Sequence, residues 1–414
     1  MISSQQKSFR ILIISKYAAS AEVGFETRLF ALSRHLVSKG NDITIISSDS
    51  NHLARFPIYK NKYNYEVIQG IKTIWIKTLK YTHTVSAKRI LSWLDFEWKL
   101  FWMKKKDMER PDVIIVSSLS LLTILNGVHL KNKFKAKLIF EIRDIWPLTL
   151  TEEGGFSKMN PLVIVLAWIE KWGYCNSDLV VGTMPNLKQH ISSITKSEIN
   201  CKCVPFGFEL KQYEPFVIES NPDNDFSIPE NKFIIGYAGS VGLTNGLDTF
   251  VNVIKKFADN DKIHFVLLGG GDKREKYMEY LKENNNVTFI NRVERQKVRI
   301  VLEKCNVLYF SALKTRVWDY GWSPNKLVDY MISGKPIIAS YSGFPSMINE
   351  ADSGIFVPSE DEESLTNAIM TLSSMPSSDL VAMGERGKKW LIENRQWNIL
   401  ADNYLSIIDE LVAG

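Results

Sequence analysis

Cysteine and histidine are scarce, four and six among 414 residues. Cys175, Cys201, Cys203 and Cys305 are too few and too scattered to staple a secreted scaffold. Cys201-x-Cys203 has no second pair and no histidine beside it, and the histidines show no ligand spacing, so no metal site is expected. Thiols without partners suit a reducing compartment, and a cytoplasmic location is the expectation. Long apolar runs are missing as well. The N-terminal MISSQQKSFRILIIS holds no apolar stretch before a small-residue cleavage site, so no signal peptide is read there. The longest uncharged run, Val113–Leu130, is broken by Ser117, Ser118, Ser120, Thr123, Asn126 and Gly127. It reads as a strand followed by a helix rather than a bilayer span. There is no Gly-x-Ser-x-Gly and no lysine-bearing phosphate loop, which leaves hydrolase and nucleotide triphosphatase chemistry unsupported. No aromatic–glycine RNA motif or recognition helix is visible, so nucleic acid is not an expected partner.

What is present describes a globular chain: 45% hydrophobic and 23% charged residues. Single cores stop growing near ~250–300 residues, so two domains are expected. The net charge of +5 conceals an asymmetry, with 29 Lys+Arg against 17 Asp+Glu up to Pro205 and the reverse bias after it. A basic half either faces something anionic, such as membrane lipid or a phosphorylated acceptor, or is simply a solvated lysine surface. Short apolar runs alternate with amphipathic stretches, the pattern of βα units around parallel sheets and hence of an α/β fold. Arg10–Ser15, Ile43–Ser47, Ile71–Ile76, Asp112–Ser117, Lys137–Glu141 and Asp178–Gly182 are the strands of the first half. A helix over Phe25–Lys39 puts Phe25, Leu29, Leu32 and Leu36 on one face. Residues 206–231, with Pro215, Pro222 and Pro229, read as a linker between domains at 1–205 and 232–396. After it come strands at Lys232–Gly236, Ile263–Leu268, Val287–Ile290, Val307–Ser311, Pro336–Ser340 and Gly354–Val357. Leu247–Phe257, Asp361–Ser373 and Trp397–Val412 are the helices of this part.

Open parallel sheets bind ligands beyond the carboxyl ends of their strands, so the loops there hold the candidates. Gly269-Gly270-Gly271-Asp272-Lys273-Arg274 directly follows a strand. It is either a phosphate cradle with two cations or a tight turn with solvated charges; it is not the dinucleotide fingerprint. In Tyr320-Gly321-Trp322-Ser323-Pro324-Asn325-Lys326-Leu327-Val328-Asp329, Ser323 reads as an N-cap and Pro324 as the first helical residue. The N–H groups of Asn325 and Lys326 are then free for an anion, and Asp329, one turn on, suits a pair of vicinal hydroxyls. The alternative is an ordinary capped helix with a surface aspartate. Gly239, Ser240 and Asn245 lie in a further glycine loop after the first strand of the second half. In Glu141-Ile142-Arg143-Asp144-Ile145-Trp146-Pro147, Arg143 can clamp an anion and Asp144 can take a proton, unless the two form a structural pair.

Taken together these segments resemble the retaining family 4 glycosyltransferases of the GT-B fold. The likeness runs over nearly the whole chain and rests on EIRDIWP, YAGSVGLTNGLDTF, LLGGGDKRE and SPNKLVDYMISGKPIIAS. More narrowly, the chain is similar to the branch that builds bacterial O-antigen and capsule units, including N-acetylfucosaminyl transferases. The resemblance implies two Rossmann-like domains facing a central cleft, with the helix at about 397–414 packed back on the first. It implies metal-independent, cofactor-free transfer of a sugar from a nucleotide sugar, UDP rather than GDP, to a hydroxyl with retention. The donor then lies on the second domain, with Asp329 on the ribose and Arg292 and Val293 near the base. Gly239, Ser240, Asn245, Gly270, Arg274, Ser323, Asn325 and Lys326 complete the implied donor site. Arg143 and Asp144 are the implied catalytic residues, and Gly24 and Arg28 are placed on the acceptor side or in the cleft. The acceptor is a polyprenyl-diphosphate-linked saccharide met at the inner face of the bacterial membrane.

Three positions depart from the family pattern. The first carboxylate of the paired acidic motif is Gly321, a usual basic residue before Gly-Leu is Asn245, and a usual histidine is Arg143. Lys326, Arg274 and Arg143 are the substitute cations. A nucleotide-sugar 2-epimerase of the same fold and a non-catalytic nucleotide-sugar scaffold are the competing readings. Finally, the segment Lys88–Lys106, KRILSWLDFEWKLFWMKKK, carries an aromatic stripe of Leu94, Trp98, Phe101 and Trp102 between basic ends. It reads as a core helix whose outer aromatics and terminal lysines touch anionic lipid, placing the protein peripherally on the membrane.

Overall fold

A computed structural model describes residues 7–24, 26–51, 56–81, 86–105, 108–213, 226–345 and 347–414. The chain divides into two compact units, Met1–Gly207 with Trp397–Gly414, and Phe208–Gln396. Of the expected linker, 206 and 207 fall in the first unit and 208–213 and 226–231 in the second, while 214–225 lie outside the described residues.

The first unit is built on strands β1 (Arg10–Ile14), β2 (Asp42–Ser48), β3 (Tyr63–Ile68), β4 (Ile71–Ile76), β5 (Val113–Ser117), β6 (Lys137–Ile142), β7 (Leu179–Gly182) and β8 (Cys201–Cys203). They form one sheet in the order β3-β4-β2-β1-β5-β6-β7-β8. All pairs are parallel except β3 with β4. That hairpin turns at Gln69 and Gly70, both with positive φ, as a two-residue turn matched to strand twist requires. β3 is not foreseen from the sequence because Tyr-Asn-Tyr-Glu-Val-Ile lies at the sheet edge with little buried.

Helices α1 (Arg28–Ser38), α2 (Ala87–Trp102), α3 (Thr123–Phe134), α4 (Leu148–Glu152), α5 (Pro161–Asn176) and α6 (Leu187–Thr195) connect these strands. The parallel connections place them on both faces of the sheet. Ile11, Ile13, Ile43, Ile45, Val113 and Ile115 face α1 and the C-terminal helix Trp397–Ala413 in one core. The alternate residues face α3 and α5, so closely that a Cβ on Gly127 would meet Val116 at 2.7 Å. α3 packs between α2 and α5 on this side. The helix expected over Phe25–Lys39 begins at Arg28, and Phe25 lies outside the described residues.

The second unit has six parallel strands in the order β11-β10-β9-β12-β13-β14. These are β9 (Phe233–Ala238), β10 (Ile263–Leu268), β11 (Val287–Ile290), β12 (Val307–Ser311), β13 (Ile337–Ser340) and β14 (Gly354–Val357). Helices α7 (Asp248–Lys256), α8 (Arg274–Tyr280), α9 (Arg295–Glu303), α10 (Asn325–Ile332), α11 (Glu362–Ser374) and α12 (Ser377–Asn394) cover both faces, with a core on each. α12 escapes a reading of the sequence because Gly384 and Gly387 interrupt its pattern. They serve packing: a Cβ on Gly384 would sit 1.9 Å from the Gly334 carbonyl. The unit closes on itself where the Phe208 N–H donates to the Arg395 carbonyl at 3.0 Å.

Candidate functional site

In the second sheet the strand order reverses between β9 and β12, and a crevice forms beyond such a reversal. The loops after β9 and β10 are laced together there by Val241 N–H to Gly270 O at 2.9 Å and Lys273 N–H to Val241 O at 3.1 Å. A Cβ on Gly269 would lie 1.8 Å from the Gly239 carbonyl, so the glycines first of all let two backbones touch.

α10 enters this edge. It starts at Asn325, and its cap is Pro324 in extended conformation with no side-chain cap bond. The expected Ser323 cap is therefore displaced by one residue, because extended Pro324 stands outside the helix. Neither Asn325 N–H nor Lys326 N–H bonds to another described residue. The Lys326 ammonium turns back over the β9 loop. It donates to Asn245 Oδ1 at 2.7 Å and to the Tyr237 hydroxyl at 3.2 Å. It also lies 5.0 Å over the Tyr237 ring and 5.8 Å over that of Phe310. Gly239 borders it, since a Cβ there would be 3.2 Å from Lys326 Nζ. Burial lowers the Lys326 pKa to about 8, so the ammonium is charged at neutral pH, and no carboxylate among the described residues pairs with it.

One turn along α10, Asp329 accepts from the Tyr213 hydroxyl at 2.5 Å. Tyr213 is buried, and its carbonyl accepts from Arg299 at 2.9 Å. Tyr330 points the opposite way: its hydroxyl accepts from Ala238 N–H at 2.8 Å and donates to Ala238 O at 3.1 Å. α10 is thereby pinned to the end of β9. Neither tyrosine stands out in the sequence. Tyr330 lies inside the DYM segment but reads as core, and Tyr213 lies in the expected linker with no motif around it.

The remaining donor-side candidates are spread along the same edge. Arg292 lies beside Gly270 and is exposed, while Val293 is half-buried against the core. Arg274 stacks 5.9 Å over Phe289 and touches Met278, apart from the Lys326 cluster. Lys273 is held by Asp248 at 2.6 Å. Ser240 accepts from the Tyr237 hydroxyl through its carbonyl at 2.7 Å. Gly321, at the position of the missing carboxylate, is followed by Trp322, which stacks on Trp318 at 4.4 Å and meets Phe310 at 4.9 Å. An aromatic cluster occupies that corner.

In the first unit, Arg28 requires a correction. Its side chain has no exposure and no access to an acceptor. It donates to the Val204 carbonyl at 2.8 Å and to that of Pro205, lies over Trp397, and pairs with buried Glu141 at 3.4 Å. Arg28 therefore belongs to the scaffold. Gly24, by contrast, is exposed in the loop after β1, with φ of 100°. Arg143 and Asp144 follow β6. The Arg143 N–H donates to Ser118 Oγ at 3.0 Å, but its guanidinium and the Asp144 carboxylate make no hydrogen bond or ion pair with any described residue. They do not form the structural pair that was the alternative. Asp144 is solvent-exposed yet crowded; desolvation raises its carboxyl and the Arg143 charge pulls it down. Two groups nearby, buried Lys16 and half-buried Glu97, carry no motif that would mark them in the sequence. Lys16 donates to Ser50 O at 3.0 Å, and burial lowers it to about 7. Glu97, bonded to Thr123 at 2.6 Å and Asn126 at 2.7 Å, is raised by desolvation to about 7.

α2 has the two faces expected of it. Trp93, Phe96 and Leu100 are buried, and Leu94, Trp98, Phe101 and Trp102 are exposed. Trp93 donates to the Tyr17 hydroxyl at 2.6 Å and packs edge-on against Trp146 at 5.6 Å. Lys105, expected at lipid, is instead buried and donates to the carbonyls of Leu100, Phe101 and Met103, capping the helix; Lys106 lies outside the described residues. Among the described residues no helix is long and apolar enough to cross a membrane.

Two parallel-sheet units of this kind make the GT-B fold, and residues 232–375 match the family described as glycosyl transferases group 1. The chain has the fold and carries the domain of a glycosyltransferase enzyme. Over 98% of its length it is similar to 99% of the sucrose-phosphate synthase of Thermosynechococcus elongatus, at 16% identity and a TM-score of 0.69. A trehalose-6-phosphate structure from E. coli, bound with UDP-2-fluoro glucose, matches 97% of this chain over 99% of its own, with 11% identity and TM-score 0.70. Anabaena HepE in complex with UDP matches 98% of this chain over 100% of its own, with 11% identity and TM-score 0.63. No curated protein matches the sequence.

Proposed function

We propose that this protein is a retaining glycosyltransferase that takes a sugar, N-acetylated or deoxy, from a UDP donor. The acceptor is a polyprenyl-diphosphate-linked saccharide in bacterial O-antigen or capsule assembly, met at the cytoplasmic face of the membrane through the basic first half. Asp329 binds the donor ribose, and Lys326 with the Asn325 and Lys326 N–H groups receives the diphosphate. Arg143 and Asp144 are the catalytic residues contributed by the first unit.

The observation that carries the reading is Lys326. A half-buried ammonium with neutral partners, beside two N–H groups at a helix start that bond to no described residue, is arranged for an anion, and a carboxylate follows one turn later. Occurrence of UDP ligands in two structures of this fold supports the choice of nucleotide. Hydrogen bonds to a charged group contribute about 1.5–3 kcal/mol each. Asp329→Ala should therefore weaken UDP binding by calorimetry at least about tenfold with the fold retained. Unchanged affinity removes Asp329 from the site. Incubation with UDP-sugar alone completes the test, because an epimer among the products would replace transfer by epimerisation.

A further inference from the structure

α5 is apolar around most of its circumference, with Lys171 its exposed charge. Its inner residues Val163, Leu166 and Ile169 are buried as a core helix requires, yet Ile164, Val165 and Trp168 are more than half exposed. A helix hydrophobic all round is normally covered. The preceding turn adds exposed Phe156 and Met159. α3 lies between α5 and α2, so this stripe belongs to the same side of the sheet as Leu94, Trp98, Phe101 and Trp102 of α2, with exposed Leu125 of α3 in the middle. Between α2 and α3 the face dips into a recess of about 620 Å³ lined by Leu94, Trp98, Phe101 and Leu125, and also by Asp95, which pairs with Lys99, and Glu97, which accepts from Thr123 and Asn126. Exposed apolar surface of this extent on one side of the sheet marks an interaction site.

Charge selects the partner. Among the described side chains of α2, α3 and α5, no exposed position is Asp or Glu; the exposed charges are Lys88, Lys133 and Lys171. Lys104, Lys135 and Lys158 stand at the helix ends, with Glu153 the exposed carboxylate of the connection before α5. On the opposite side of the sheet charge is balanced, since Asp402, Asp409 and Glu410 of the C-terminal helix pair with Lys39, Lys7 and Lys202. A second copy of this face would set lysine against lysine, whereas an anionic bilayer offers headgroups to the rim and acyl chains to the centre.

We infer that the outer faces of α2, α3 and α5 together form a single docking surface for an anionic lipid bilayer, with α5 as its second anchor. The inference rests on the membrane reading above and extends it from one helix to three. Flotation with phosphatidylcholine vesicles, with and without phosphatidylglycerol, tests it on the full chain. The parent is compared with Trp98→Glu/Trp102→Glu and with Ile164→Glu/Trp168→Glu, alongside UDP binding, thermal unfolding and sedimentation velocity. Both variants should bind anionic vesicles about tenfold more weakly or worse, with UDP affinity unchanged. Ile164→Gln/Trp168→Gln carries the same test should the glutamates lower the unfolding temperature. Full flotation of the α5 variants overturns the inference, and loss confined to the α2 variant then leaves the one-helix reading standing. A parent that does not float ends both. A dimer that the α5 variants dissociate, without vesicle binding, makes a second copy the occupant and also overturns it.

Discussion

Lys326 is the residue on which the donor site turns, and its environment sets a pH dependence. Burial lowers it to about 8, against roughly 10.4 for an unfolded lysine. Between these values the unfolded chain holds a proton that the folded chain has released, so this group makes stability rise with pH across that window. Anion binding runs in the opposite sense, because the ammonium that attracts a diphosphate is lost as pH passes the folded value. UDP affinity should fall about tenfold between roughly pH 7 and pH 9.5, and Lys326→Met should bind more weakly at neutral pH with a flat profile. Calorimetry at several pH values checks this; a parent profile as flat as that of the variant takes Lys326 out of the anion site.

At the scale of elements, α10 matters as a rigid body. Tyr330 fixes it to β9 by two bonds to the Ala238 backbone, and Tyr213 grips Asp329 from outside. Tyr330→Phe leaves the Ala238 N–H buried without that partner, which costs about 1–3 kcal/mol. Urea unfolding should register the loss, and UDP binding should weaken as the helix start shifts; an unchanged midpoint would show that the bonds are not needed. Much of this element is legible in the sequence. Ser-Pro-Asn-Lys announces a helix start, and the apolar spacing of Leu327, Val328 and Met331 gives its buried face. The tyrosines are not legible, because their partners are 92 and 116 residues away along the chain. Most strands are as plain as the helix start, since continuous Ile/Val/Leu runs are the mark of parallel strands buried on both faces. The edge strand β3 and the glycine-bearing α12 are not, because edge exposure and close helix packing each erase the pattern that reading depends on. Arg28 misleads for the opposite reason: an arginine looks like a surface residue until the fold supplies Glu141 and two carbonyls to hold it.

At the scale of the whole molecule, the last helix completes the first unit. Trp397, Leu400, Tyr404 and Ile408 are buried against α1 and the strands, and Tyr404 bonds to buried Glu141 at 3.3 Å. At about 1.5–3 kcal/mol per large buried side chain, the four contribute roughly 6–12 kcal/mol. That equals much of the total stability of a domain, about 5–15 kcal/mol. A chain ending at Gln396 should therefore lose the cooperative unfolding of the first unit, seen by limited proteolysis, yet still bind UDP through residues 208–396. Protection of residues 7–205 equal to that of the full chain would refute it. The same return of the chain also reverses the usual order of birth on the ribosome. Domains normally mature from the N-terminus forward. Here the second unit has all its residues once Gln396 has emerged, while the first, begun hundreds of residues earlier, waits with an open core for Trp397–Gly414.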